Sequence, residues 1–170
     1  MDSDLSHDPA ALPTLLRAVE GGADLALGSR YIPGGSIPQW SIRRRALSRW
    51  GNRYASIALG LDVADSTSGY RAYLAEAVAG IDLPTVRADG YGFQIEMAYR
   101  VARNGGRIVE VPIEFVDRVR GTSKMGPCII AEALLLVTWW GVRDLPSRRH
   151  SRWAARRPRA PRAGITPSTP

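Results

Sequence analysis

Cysteine is nearly absent. Cys128 stands alone in 170 residues, so the chain can build neither an internal disulfide framework nor a cysteine-based zinc site, and the composition fits a reducing, cytosolic setting. Histidine is as scarce, with only His7 and His150, which excludes a histidine-rich metal centre. Long apolar runs are also missing. The nearest is Met125 to Val142, which carries Glu132 and falls short of the ~20 apolar residues that span a bilayer; no stretch has the build of a signal peptide. Acid is lacking from one region in particular. From Arg143 onward, eight arginines face a single acid, Asp144, so this segment carries the whole formal net charge of +7 and the residues before it are neutral. Basic character therefore belongs to a tail and not to the domain. Its Pro, Ala and Ser content predicts disorder over 146–170.

What is present suffices for one buried core, since 45% of the residues are hydrophobic. Leu12, Leu15, Leu16 and Val19 recur at helical spacing and Gly21-Gly22 ends the run. Pro13 predicts that the helix begins there, after a separate Asp8-Pro9 turn. A short strand is expected over 24–27. A helix is expected over 42–59, with Leu47, Trp50, Tyr54, Ile57 and Ala58 inward and Arg43, Arg44, Arg45, Arg49 and Arg53 on a solvated basic face. A strand over 70–74, a short helix through Val78 and a helix from Phe93 to Arg103 follow. The alternation of Val109, Val111, Ile113 and Phe115 predicts a strand over 107–115, with Pro112 marking a sheet edge. The whole reads as an α/β domain.

Two stretches suggest chemistry. Asp2 and Asp4 flank one small residue, so both could reach a hard cation that also holds substrate phosphates; alone, the pair reads more simply as a solvated terminus before the Asp8-Pro9 helix start. The stretch Asp117-Arg118-Val119-Arg120-Gly121-Thr122-Ser123-Lys124 offers cations, hydroxyls and backbone N–H groups that can wrap an anion, or it is a solvated basic turn. Beyond it, residues 125–142 are too apolar all round for an ordinary surface helix. Trp139 and Trp140 beside Arg143 suit a helix lying in a membrane interface, with burial in a partner's core as the competing reading.

Taken together, these motifs resemble the C-terminal part of the polyprenol (dolichol) phosphate mannose synthases, members of glycosyltransferase family 2 with the GT-A fold. The resemblance runs through residues 1–9, Gly28-Ser29-Arg30-Tyr31, Gly34-Gly35, Trp40, Arg43, Ser48 and Asn52. It continues through Asp65-Ser66-Thr67-Ser68-Gly69-Tyr70-Arg71, Gly90 to Met97, Arg107 to Ile113, Phe115 to Arg118 and Gly121-Thr122-Ser123-Lys124. It implies a partial GT-A domain with a mixed sheet over 1–124, a membrane-interface helix over 125–145 and a tail over 146–170. In relatives, roughly half of the sheet, including the guanosine-binding strands, precedes the Asp-x-Asp. The resemblance therefore predicts an N-terminally truncated chain without its donor-binding half.

The implied activity is metal-dependent, inverting transfer of mannose from GDP-mannose to a polyprenyl phosphate at the cytosolic membrane face. Asp2, Asp4 and Ser6 match the positions expected to hold Mg²⁺ or Mn²⁺. Arg30, Arg43, Arg118, Ser123 and Lys124 match positions near the donor diphosphate and acceptor phosphate, and Asp4, Arg118 and Lys124 are the expected catalytic residues. A membrane-anchoring partner protein fits this picture, and no nucleic-acid partner is expected. Transfer of glucose or N-acetylglucosamine is the rival within the class. A non-catalytic membrane or nucleic-acid binder acting through the tail is the rival outside it.

Overall fold

The computed structural model describes residues 8–116 and 127–144. The described residues open with a 3₁₀ turn, Pro9–Ala11, whose entry is capped by the Asp8 carboxylate accepting from the Ala10 N–H at 2.9 Å. It runs directly into α1, Leu12–Glu20, which tolerates Pro13 because the first turn of a helix needs no N–H there. Strand β1, Leu25–Ser29, follows, then α2, Ile42–Leu59, β2, Arg71–Tyr73, and the short α3, Ala75–Ala79. After a second 3₁₀ turn come α4, Gly90–Arg103, β3, Ile108–Pro112, and α5, Pro127–Arg143.

The sheet is mixed, in the order β2-β1-β3. Central β1 pairs antiparallel with β2, placing Leu25 opposite Tyr73, and parallel with β3, placing Leu25 opposite Ile108. All five residues of β1 are buried, as expected of a strand covered on both faces. Ala26 faces Leu15 of α1 together with Tyr70, Val111 and Ile113. Leu25 and Leu27 face the opposite cluster, built from Ala55 and Leu59 of α2, Ile95, Ala98 and Val101 of α4, and Val137 and Trp140 of α5. The apolar helix α5 thus contributes to the core of the domain that precedes it. Strand β3 lies at an edge of the sheet among the described residues, where Pro112 costs no ladder bond.

Strand β1 runs on to Ser29 and β3 ends at Pro112, short of the expected 115, and two larger features depart from the sequence-based expectations. Helix α4 starts at Gly90 and not at Phe93, because Gly92 allows the first turn to close against Ala88: a Cβ on Gly92 would lie 3.1 Å from that of Ala88. The larger departure concerns α2. Its buried residues are Asn52, Ala55 and Leu59, while Leu47, Trp50 and Ile57 are 51%, 55% and 66% exposed. Tyr54 and Ala58 do pack against the core as expected, beside buried Ala55 and Leu59, but the N-terminal half of the inward face is polar: Ser48 and Asn52 hydrogen-bond Tyr31, Ser66 and Thr67, and hydrophobic periodicity is blind to such a stretch.

Candidate functional site

The end of β1, the loop after α2 and the α2 helix itself converge on one polar network. Arg30, only 6% exposed, lies directly after β1, and Asp65 is fully buried in the loop. The Asp65 carboxylate accepts from Arg30 three times, from the backbone N–H at 3.0 Å, from Nε at 2.7 Å and from Nη2 at 2.7 Å. Thr67 Oγ1 accepts from Arg30 Nη2 at 2.9 Å and donates to Asp65 at 3.2 Å. Burial works against the Arg30 charge, but the hydrogen bonds and charge of Asp65 outweigh it and hold its pKa above the ordinary value.

Helix α2 reads this loop from above. Asn52 Nδ2 donates to Thr67 Oγ1 at 3.1 Å, and its Oδ1 accepts from Ser66 Oγ at 3.0 Å and from the Thr67 N–H at 3.2 Å. One turn earlier, Ser48 Oγ accepts from the Tyr31 hydroxyl at 2.7 Å. From below, Glu110 of β3 accepts the N–H groups of Ala64 and Asp65 at 2.8 and 3.0 Å. Arg71 braces the far side by donating to the carbonyls of Ser66 and Ser68, both at 2.6 Å, and of Gln94 at 2.7 Å. Burial lowers the Arg71 pKa. The motif Asp65 to Arg71 is therefore a scaffold held from four sides, with its polar groups matched.

Next to this scaffold is a pocket of about 170 Å³ whose lining includes Arg30, Tyr31, Ser36, Arg45 and Arg49. Gly34 and Gly35 shape its wall: Gly34 has φ 89°, and a Cβ on Gly35 would lie 2.6 Å from the Ser29 carbonyl, so only glycine lets this loop fold back on the end of β1. With Arg30 neutralised by Asp65, Arg45 and Arg49 leave the pocket positive. Planar guanidinia of this kind suit phosphate oxygens. On the neighbouring side of α2 runs an almost wholly apolar groove of about 90 Å³ between α2 and α5, walled by Leu47, Trp50 and Tyr54 on one side and Ile130, Leu134 and Val137 on the other. Its polar boundary is Arg44, Ser48, Asn52 and Thr67. Tyr54 and Thr138 hydrogen-bond across the helix pair at 2.7 Å, and Gly141 lets it close, since a Cβ there would lie 2.8 Å from the Ala58 carbonyl.

Of the residues predicted for phosphate binding, Arg30 lines the cationic pocket. Arg43 is exposed on α2, while the adjacent Arg44 lies 3.9 Å over the Trp40 ring and borders the groove. Asp2, Asp4, Ser6, Arg118, Ser123 and Lys124 lie outside the described residues. Among the described residues no cluster of three His, Cys, Asp or Glu side chains could hold a metal ion. Sequence reasoning missed Asp65 as the partner of Arg30 and missed Arg44, Arg45 and Arg49 as more than a solvated face. The i, i+4 recurrence of Arg45 with Arg49, and of Ser48 with Asn52, was the available signal.

A wider cleft, about 870 Å³ between α4, α5 and the 80–87 loop, lies away from these residues. Three of its arginines are engaged: Arg100 with Glu96 at 2.6 Å, and Arg103 and Arg143 both with Asp144. Burial works to raise the Asp144 pKa, but hydrogen bonds from Arg143, Tyr99 and Arg103 prevail and hold it at about 2.

The mixed α/β sheet agrees with the comparison to known families. Residues 1–81 match the model of Glycosyl transferase family 2. The chain is similar to proteins named for mannose transfer to polyprenyl lipids. It is 51% identical over 142 residues to the undecaprenyl-phosphate mannosyltransferase of Micrococcus luteus, covering 84% of this chain and 58% of that protein. It is 49% identical over 143 residues to the polyprenol monophosphomannose synthase of Mycolicibacterium smegmatis, covering 84% and 54%. It is 36% identical over 150 residues to the dolichol-phosphate mannosyltransferase of Pyrococcus furiosus, covering 85% and 41%. The chain spans about half the length of the curated relatives it matches.

Proposed function

We propose that this chain forms the acceptor-binding side of a GT-A mannosyltransferase that moves mannose from GDP-mannose to a polyprenyl phosphate at the cytosolic membrane face. The observation that carries the reading is the position of α2, with Arg45 and Arg49 on a cationic pocket and Leu47, Trp50 and Tyr54 on an apolar groove. A lipid phosphate has these two chemistries on one molecule: an anionic head for the arginines and an apolar chain for the groove. The names of the relatives supply the sugar and the lipid class.

A phosphate monoester is already ionised at neutral pH, so its oxygen attacks without a strong general base. The chain's task is to hold two anionic groups together and to stabilise the diphosphate as the sugar–oxygen bond breaks. An oxygen lone pair of the acceptor forms the new bond at the anomeric carbon while the old bond's electrons leave with GDP, so the configuration inverts. Asp2 and Asp4, with Ser6, are hard oxygen donors of the kind that hold Mg²⁺ or Mn²⁺. Such an ion supplies charge neutralisation of the donor diphosphate. Arg118, Ser123 and Lys124 are assigned to the two phosphate groups. No described helix is long and apolar enough to cross a membrane; the outward stripe Leu135, Trp139 and Val142 on α5, each more than half exposed, suits a helix lying in the interface.

The test places residues 1–144 of this chain in the Mycolicibacterium relative in exchange for its matching segment and supplies GDP-[¹⁴C]mannose, Mg²⁺ and polyprenyl phosphate. Radiolabelled lipid is expected. Arg45→Gln with Arg49→Gln should lower its formation about tenfold or more, and Asp4→Ala should abolish it. A stably folded chimera that makes no mannolipid refutes the reading.

A further inference from the structure

Glycine in the interior of a helix costs stability, because it loses more backbone freedom on folding than any other residue. Gly51 sits near the middle of α2, and the fold makes no demand for glycine there. Its φ is not in the left-handed region. Apart from its chain neighbours and its own helix backbone, nothing lies within 4 Å of where a Cβ would stand. The glycines that the fold does require look different: a Cβ on Gly35 would lie 2.6 Å from the Ser29 carbonyl, and one on Gly141 2.8 Å from that of Ala58.

The open space beside Gly51 is the apolar groove. Gly51 lines it, and so do Leu47, Ser48, Tyr54 and Ala55, its neighbours one turn before and one turn after on the same helix face. A side chain at position 51 would therefore project between α2 and α5, into a space of only about 90 Å³. An apolar cavity of about 150 Å³ holds one benzene, so such a side chain would compete directly for the room that an alkyl ligand uses. The two ends of the groove define that ligand. At one end Ser48 borders the groove and accepts a hydrogen bond at 2.7 Å from Tyr31, which lines the cationic pocket, so the two cavities adjoin. At the other, the Tyr54–Thr138 hydrogen bond and the contact of Gly141 with Ala58 close the helices on each other. An alkyl chain that enters beside the cations is one that carries an anion.

We propose that Gly51 is a specificity-determining residue, whose missing side chain leaves room for the first prenyl unit behind a lipid phosphate. The inference rests on the acceptor reading above and adds what admits the chain. Helix α2 forgoes stability at this position in favour of ligand space.

Gly51→Ala and Gly51→Leu place a methyl and an isobutyl group in the groove while improving helix propensity. The full chain and each variant are titrated by calorimetry with farnesyl phosphate below its micellar range and, in parallel, with inorganic phosphate; thermal midpoints are measured without ligand. Wild type should bind farnesyl phosphate more tightly than inorganic phosphate. Gly51→Leu should lose about tenfold in affinity for farnesyl phosphate, equivalent to about two buried methylenes, with Gly51→Ala intermediate. Binding of inorganic phosphate should not change, and both midpoints should stay level or rise. Weaker binding by a variant at least as stable is what a steric block produces, whereas a folding role for the glycine would lower the midpoint. Gly51→Leu that binds farnesyl phosphate as tightly as wild type overturns the proposal and leaves the acceptor reading intact. An equal loss with both probes, or a lowered midpoint in Gly51→Ala, overturns it too. Wild type that gains no affinity from the farnesyl chain overturns both.

Discussion

Replacing Asp65 by Asn tests whether the site rests on its buried ion pair. Oδ2 of Asp65 accepts from the Arg30 N–H and Nε, while Oδ1 accepts from Arg30 Nη2 and Thr67 Oγ1. An asparagine has one carboxamide oxygen, so in either orientation its NH₂ is turned toward two donors. It also leaves the guanidinium, at 6% exposure, without a counter-charge. Each orphaned donor costs about 1–3 kcal/mol, and breaking a buried pair typically costs about 3–5 kcal/mol. Against the ~5–15 kcal/mol of a folded domain that loss is large.

Urea unfolding followed by far-UV circular dichroism reads it directly. Asp65→Asn should lower the unfolding free energy by about 3–5 kcal/mol with little change in slope. The double variant Arg30→Met, Asp65→Leu removes both charges together and should recover most of that loss, because a buried pair is often close to neutral against apolar residues of similar size. A single variant within about 1 kcal/mol of wild type would refute the reasoning, since that is the behaviour of a solvated pair.

Gly141→Ala separates close packing from helix propensity. In open space it should stabilise α5 by about 1 kcal/mol, but a Cβ there lies 2.8 Å from the Ala58 carbonyl, so we expect a loss of about 1–3 kcal/mol, read as a fall in thermal midpoint. Asp144→Asn should loosen the end of α5 by about 1–2 kcal/mol after allowance for solvent screening. Because the folded carboxyl titrates at about 2, below its ordinary 3.8, its contribution is present in full above the ordinary value and disappears as pH falls through about 2. The stability difference between wild type and Asp144→Asn should therefore narrow across that acid range, and a difference that stays constant would show that Asp144 is not held by Arg103 and Arg143.

The alternation of β3 revealed that strand because Val111 and Ile113 turn to the core while Pro112 and Glu114 are exposed, so hydrophobic period and burial coincide there; in α1 the spacing revealed the helix although only Leu15 is fully buried and Leu12 and Leu16 are exposed. Helix α2 breaks that coincidence. Ser48 and Asn52 are polar and face inward, satisfied by Tyr31, Ser66 and Thr67, while Leu47 and Trp50 are apolar and largely exposed. A reading that sends apolar residues inward rotates the helix and consigns its arginines to solvent. Asp65 was hidden for a related reason: its partner is 35 positions away, and nothing local in an Asp-Ser-Thr-Ser loop distinguishes a buried acceptor from a solvated turn. The motif resemblance singled out Arg43, whereas Arg44 is the residue that lies over the ring of Trp40.

The exposed apolar residues of α2 have a physical consequence for the proposed acceptor site. Exposed Trp50 and Leu47 carry a desolvation benefit unused in the folded chain, and they border a groove whose opposite wall is α5. Filling that groove with an alkyl chain removes apolar surface from water at ~25 cal/mol per Å², so the tail of a lipid ligand adds affinity in proportion to the length that lies between the helices. The phosphate end has a different dependence: Arg45 and Arg49 act through charge and weaken with salt. Affinity for polyprenyl phosphates should therefore rise with chain length only until the groove is filled, while added salt lowers affinity for short and long lipids by a similar factor. Separable responses of this kind are what a single helix produces when it presents cations to one cavity and apolar side chains to the next.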